Sequence, residues 1–324
     1  MAILKNTTTN DTGFLQLPSG TTGQRPASPQ NGQMRYNTTL GNVEWYDTEY
    51  SSWFPAGVIT PIATGGTVTD ITQSGLDYRV HTFATAGTST FTVTRQGLVE
   101  YLIVAGGGGG GSGSCNAGSP SGGGAGGVLT GSISLSVGTY NITVGAGAAN
   151  PGQGNPPRNG DNSSALGFTA IGGGGAGNAD SGCTGGSVIA NANSGGSGGG
   201  AMCYTGSFYR GGNGTPGQGH AGGDGKNYSV LGANYISGAG GGAGGPGETP
   251  YDGRGRNQPG ANGGPGISSI ISGSLTFYGG GGGSSAYFAD IGHGQPGLGQ
   301  SIGGGGHRGG SGTTGRVIIR YRTS

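Results

Sequence analysis

The sequence predicts a mostly β protein: a small N-terminal β-meander, then a glycine-rich domain of β-strands and bundled polyglycine-II segments, with little or no α-helix. Three observations predict it. Of 324 residues 86 are glycine, and each interior glycine costs a helix about 0.8–1 kcal/mol relative to alanine. Only eleven of these glycines lie in residues 1–100, so 75 fall in the last 224. Several long glycine runs also begin directly after an apolar strand. Composition divides the chain into residues 1–60, a β-hairpin module, 61–97, a Thr-rich β transition, and 98–324, the glycine-rich domain.

Residues 1–60 have ordinary glycine content and hold both tryptophans, Trp45 and Trp53. The Pro-, Gly- and Asn-Gly-rich stretch from Gly20 to Gly32 reads as turns. Gln33–Thr38, Asn42–Asp47 and Ser52–Phe54 are short, aromatic or β-branched, and bounded by turns, which reads as a meander. Thr39-Leu40-Gly41-Asn42 suits the hairpin turn between the first two strands. So short a module buries little surface, and it calls for a neighbour or for other copies of itself.

The pattern Gly20, Gln24-Arg25-Pro26, Pro29, Gly32, Arg35-Tyr36-Asn37-Thr38, then Glu44, Tyr46-Asp47 and a Trp resembles a hairpin module recurrent in bacteriophage tail-fibre and virion-appendage proteins. The resemblance covers residues 10–56 and implies a place on a virus particle, with other virion proteins as partners of residues 1–60.

Residues 61–97 carry Ile62, Val68, Ile71, Tyr78, Val80 and Phe83 in short β-like runs. Beyond them apolar strands enter glycine: Leu98–Ala105 before Gly106–Gly111, Tyr140–Val144 before Gly145, Phe168–Ile171 before Gly172–Gly175, and Leu275–Tyr278 before Gly279–Gly283. Arg316–Tyr321 closes the chain as a further strand. A flexible linker has no apolar strand at its head, so order is expected. Polyproline-II geometry has three residues per turn and no internal hydrogen bonds, and buried backbone must be paired. Such segments therefore have to come as bundles. Valine at Gly108 or Gly281 is expected to disrupt packing far more than at Gly214, which reads as a loop glycine.

Phe91–Val93, Val99–Gly106, Gly126–Thr130, Tyr140–Gly145, Asn162–Ala165 and Gly315–Tyr321 together resemble a glycine-rich domain family of phage appendages and environmental bacteria, over residues 84–322. The architecture is similar in kind to the polyglycine-helix sandwiches of some phage tail-tip adhesins. The resemblance implies a virion appendage, extracellular when it works, that contacts a host-surface polysaccharide or outer-membrane protein.

Other classes are disfavoured. Glycine runs such as Gly106–Gly111 break the strict third-position register of collagen. No stretch approaches the ~20 apolar residues of a membrane span, so no membrane insertion is expected. At a formal net charge of +1, no nucleic acid partner is expected either. Met1–Asn6 lacks the apolar core of a secretory leader. Cys115, Cys183 and Cys203 lack paired zinc spacing; three thiols, or one Cys183–Cys203 disulfide, both remain open. His220–Asn227 departs from a phosphate loop at its first and last positions. His220, His293 and His307 read as exposed loop histidines, and no cofactor, metal or catalytic residue is expected.

The segments between late glycine runs concentrate the aromatics. Tyr204, Phe208, Tyr209 and Arg210 form one group, Tyr228 and Tyr235 the next, then Tyr251, Asp252, Arg254 and Arg256, and finally Tyr287 and Phe288. Loops on rigid scaffolds commonly carry binding, and Tyr with Arg and Asp suits glycan or protein recognition; packing between layers is the alternative. The expectation is a non-enzymatic homotrimeric adhesin that binds multivalently. A capsid head fibre, a fibre-borne depolymerase and a secreted glycosylated filament are the alternatives.

Overall fold

The computed structural model describes residues 16–48, 51–56, 60–113, 119–178, 191–203, 209–228, 234–250, 259–286 and 293–323, with backbone alone for 226–228 and 234–235. The fold is mostly β, and the chain forms two compact units, Met1–Ile59 and Thr60–Ser324.

The first unit is one four-stranded sheet in chain order, β1 (Ser19–Gly20), β2 (Met34–Asn37), β3 (Asn42–Asp47) and β4 (Ser52–Pro55). β1 runs parallel to β2, and β2–β3–β4 is the expected antiparallel meander. The Asn37 side-chain oxygen accepts from the amides of Thr39 and Leu40, and Gly41 takes φ +68°, which closes the hairpin. Among the described residues of this unit the fully buried ones are polar. Glu44 is 1% exposed, Arg35 4% and Asn37 0%. Arg25 grips Glu44 with two donors, Nε–Oε1 at 3.2 Å and Nη2–Oε2 at 2.6 Å. Asn37 donates to the same carboxylate at 3.0 Å, and Arg35 approaches it at 3.5 Å. Burial pushes the Glu44 carboxyl up, but the hydrogen bonds from Arg25 and Asn37 and the two arginine charges outweigh it and hold its pKa below the ordinary value.

In the second unit two five-stranded sheets form a sandwich. The strands are β5 (Ile62–Thr64), β6 (Thr67–Gln73), β7 (Leu76–Phe83), β8 (Gly87–Arg95), β9 (Gly97–Val104), β10 (Val128–Leu135), β11 (Gly138–Val144), β12 (Ser163–Ala165), β13 (Phe168–Ala170), β14 (Lys226–Tyr228), β15 (Asn234–Ile236), β16 (Ile267–Ser269), β17 (Thr276–Tyr278) and β18 (Arg316–Arg322). One sheet has the order β10-β9-β18-β7-β6, the other β13-β12-β11-β8-β5. Residues 61–97, read in the sequence as a transition, thus supply β5–β8 of this sandwich. Phe91, Val93, Ile103, Ile142, Val144, Val317 and Ile319 pack between the sheets. Leu102, Val104 and Ile318 face the other way, against Ile271 and Tyr278 around the β16–β17 hairpin. Burial on both faces explains why Leu102–Val104 and Val317–Ile319 are continuous apolar runs and not alternating ones. His81 is fully buried in the first core, with Nδ1 2.8 Å from the Gly65 carbonyl and Nε2 3.2 Å from the Tyr321 hydroxyl.

Glycine segments leave the sandwich and pack as a hydrogen-bonded lattice with a three-residue period. Along 105–111, the amides of Ala105, Gly108 and Gly111 donate to Gly127, Gly124 and Ser121. Those of Gly106 and Gly109 donate to Asp161 and Arg158, and those of Gly107 and Gly110 to Thr313 and Gly310. Three directions repeating every three residues are the signature of a polyproline-II-type helix. Carbonyls of the same segment accept from Gly173, Ala148 and Gly306, on three further segments, so its surroundings are hexagonal. Segment 121–127 repeats the arrangement: Gly122 and Ala125 donate to Gly238 and Gly241, Gly123 and Gly126 to Gly306 and Gly303, and Gly124 and Gly127 to Gly174 and Ile171.

Such backbone proximity leaves no room for side chains. A Cβ at Gly108 would overlap the Gly174 carbonyl, and one at Gly281 the Gly240 carbonyl. Gly214 corrects the sequence reading: a Cβ there would meet the His220 backbone carbon at 2.5 Å, so it is a packing position and not a tolerant loop. Gly138 in β11 is open, with nothing within 4 Å of an added Cβ.

Candidate functional site

Strand connectivity orients the lattice. Segment 105–111 continues β9 outward, and 121–127 returns into β10. Segment 172–177 runs parallel to 105–111, since Gly173 and Ala176 donate to Gly106 and Gly109. Residues 197–200 run parallel to it in turn, through Gly174 to Ser197 and Gly177 to Gly200. Residues 238–241 run back, through Gly238 to Ala201 and Gly241 to Gly198. Residues 279–285 leave β17 outward, because Gly282 and Ser285 donate to Gly123 and Pro120. The described residues on either side of every late aromatic segment therefore sit at one end of the lattice, remote from the sandwich.

Along its flank and at this end the lattice is finished by side chains. Asn162 and Asn159 accept from the amides of Gly172 and Gly175 at 2.8 and 3.0 Å, three residues apart like the glycine carbonyls they replace. These two run along the lattice flank; nearer the outer end Asp224 accepts from Gly211 at 2.9 Å and Asn178 from Ser112 at 2.9 Å. Ser119, Ser237 and Ser284 are buried there and bond one another's hydroxyls and backbone. Cys203 lies beside them, fully buried, and burial pushes its thiol up to about 12.

Of the predicted recognition residues, Tyr209 is half-buried, and its carbonyl accepts from Gly225 at 3.1 Å. Arg210 is exposed, with its amide on the Asn191 side chain at 3.0 Å. Tyr228 and Tyr235 fall on β14 and β15, one antiparallel pair in which Tyr228 opposes Asn234 and Asn227 opposes Tyr235. Tyr204, Phe208, Tyr251, Asp252, Arg254, Arg256, Tyr287 and Phe288 lie outside the described residues.

Sequence reasoning missed Arg308. It is exposed at the same end, holds φ +43°, and donates its Nε to His307 Nε2 at 2.7 Å. A positive φ on a bulky residue is a strained conformation that surrounding structure must impose; the Arg308 amide bonds the Gly283 carbonyl at 3.2 Å. The sequence signal was the interruption of Gly303–Gly310 by two large polar residues. His307 and His293 are half-buried, not exposed as expected, while His220 is exposed. Burial first, and the Arg308 charge second, lower the pKa of both half-buried histidines, so they are neutral at pH 7. The end face thus combines guanidinium donors, neutral imidazoles and side-chain amides, a set able to hydrogen-bond hydroxyl-rich or anionic surfaces. Among the described residues no group of three or more His, Cys, Asp or Glu is placed to hold a metal ion.

His220–Asn227 is not a phosphate cradle. Its amides are engaged within the lattice, Gly222 to Gly212 and Gly223 to Ala239. Comparison with known proteins finds that residues 84–322 match the family model of a glycine-rich domain. No curated protein matches the chain.

Proposed function

The chain belongs to the glycine-rich domain family, and from that premise we propose that it is a non-enzymatic virion appendage, a phage tail-fibre or tail-tip adhesin. Residues 1–60 attach it to other virion proteins and to its own copies, as a homotrimer. The outer end of the lattice meets a host-surface polysaccharide or outer-membrane protein outside the cell.

One observation carries the reading. A lattice of mutually bonded, close-packed glycine segments delivers every late aromatic segment's described flanks to a single end, with Arg210 and Arg308 exposed there. A rigid platform limits the ordering cost of binding at its end. Several copies on one particle turn weak single contacts into avidity.

The test is adsorption. Purified protein added to host cells is expected to compete with the phage that carries it and to lower the adsorption rate in a dose-dependent way. Arg210→Ala with Arg308→Ala is expected to reduce that competition at unchanged fold. Undiminished adsorption at saturating protein would overturn the reading.

A further inference from the structure

Among its described residues the first unit fully buries no apolar side chain. Among its described residues the fully buried side chains are Arg35, Asn37 and Glu44, and their charges are consumed within the Arg25–Glu44–Arg35 cluster. Met34, Tyr36, Val43, Trp45 and Phe54 lie on the opposite face of the same sheet, while Tyr46 and Trp53 share the face of Arg35 and Glu44. Met34 stands across from Trp45, Tyr36 across from Val43, and Trp45 across from Phe54, and directly opposed residues share a face. Met34 is 44% and Tyr36 40% exposed, while Val43, Trp45 and Phe54 are half-buried. The Trp45 and Phe54 rings lie 5.7 Å apart, tilted at 35°.

We infer that this face, Met34–Tyr36–Val43–Trp45–Phe54, is the surface through which further copies of this chain pack against one another. Three features favour copies over an unlike partner. Among the described residues the face carries one charged side chain, Asp47, at its edge beside Ser52. Choosing an unlike protein relies on patterned charge and on repulsion of wrong partners, which a face without charge at its centre does not supply. The same uncharged pleat on a second copy is complementary to it in chemistry and in strand spacing, as in any contact between identical patches. Finally, a unit of about sixty residues is marginal by itself, so covering this partly exposed face also stabilises it. The patch is small beside the ~800 Å² per partner of a standard interface, so association is concentration-dependent. The inference rests on the self-association within the proposed function and not on the virion location.

Sedimentation of the full chain tests it, followed together with tryptophan emission, because both tryptophans lie in this unit. Over roughly a hundredfold dilution across the dissociation constant, the mass is expected to fall to that of one chain while emission shifts to the red. Met34→Glu with Tyr36→Glu, both exposed in the single chain, is expected to weaken assembly at least tenfold. Thr90→Glu, on an exposed position of β8, is expected to leave assembly unchanged. A wild-type protein that stays a single chain at the highest concentration overturns the inference. So does a doubly substituted protein that assembles as tightly as wild type, or dissociation with no change in emission. Loss of native emission in the variant leaves the wild-type dilution series as the deciding measurement. The adsorption assay reads the other unit, so either result stands without the other.

Discussion

Gly108 donates its amide to the carbonyl of Gly124 at 2.9 Å, across two antiparallel segments that no side chain separates. Gly124 passes the relay on to Gly174 at 2.8 Å, and the same spacing recurs throughout the lattice. Glycine at Gly108, Gly124 and Gly281 is a steric requirement, since the atoms facing each missing Cβ there are backbone and cannot rotate away. Gly108→Val and Gly281→Val are each expected to destabilise by about 3 kcal/mol or more, at or beyond the usual cost of overpacking. Gly138→Val, where nothing lies within 4 Å of an added Cβ, should fall within about 0.5 kcal/mol of wild type. Denaturant unfolding of the three variants checks the contrast.

Asn162 and Asn159 replace glycine carbonyls along the flank of the lattice. Asn162→Ala leaves the Gly172 amide without its acceptor, at an expected cost of about 1–3 kcal/mol. Asn162→Asp keeps an acceptor oxygen and is expected to be milder. Hydrogen exchange reads this locally: protection at Gly172 should fall in the alanine variant and persist in the aspartate one.

In the first unit, Glu44 is the acceptor on which Arg25, Asn37 and Arg35 converge. Glu44→Gln is expected to cost about 2–4 kcal/mol, below the usual ~3–5 for breaking a buried pair because the Arg25 side chain is 29% exposed. The exposed Arg79–Asp70 pair should lose little on Asp70→Asn, as surface pairs do. Tryptophan emission during urea unfolding monitors Glu44→Gln, since it reports the first unit alone.

Acid should weaken the two units in different windows. Burial foremost lowers the pKa of His81 from its ordinary 6.5, so the unfolded chain binds a proton that the folded one resists. Stability of the second unit is therefore full above pH 6.5 and declines as pH falls below it, with His293 and His307 adding in the same direction. Glu44, held below its ordinary 4.5, stabilises the first unit above that pH and loses its contribution as pH falls through the folded value. Unfolding free energy measured by circular dichroism should drop from pH 7 to 5, and His81→Gln should flatten the slope. Tryptophan emission should reveal no loss until about pH 4.5.

The β class, the meander of residues 33–54 and the strands entering glycine were legible because alternation, turn residues and glycine runs are local. The role of residues 62–95 in the sandwich was not, because β5 pairs with β8, and β7 with β18, across long stretches of chain. Gly214 was misread for a similar reason: its neighbour in space, the His220 backbone, is hidden from local composition. Arg308 escaped because one strained residue within a glycine run carries no periodic signal.

The sequence by itself determined that the glycine segments must bundle. Glycine without side chains leaves only backbone to bury, and buried backbone must be hydrogen-bonded. Which segment lies beside which, and that the described flanks of the late aromatic segments lie at one end, only the tertiary structure decided. Every glycine amide is chemically the same as the next, so the pairing is set by the strands that anchor each run, not by the runs themselves.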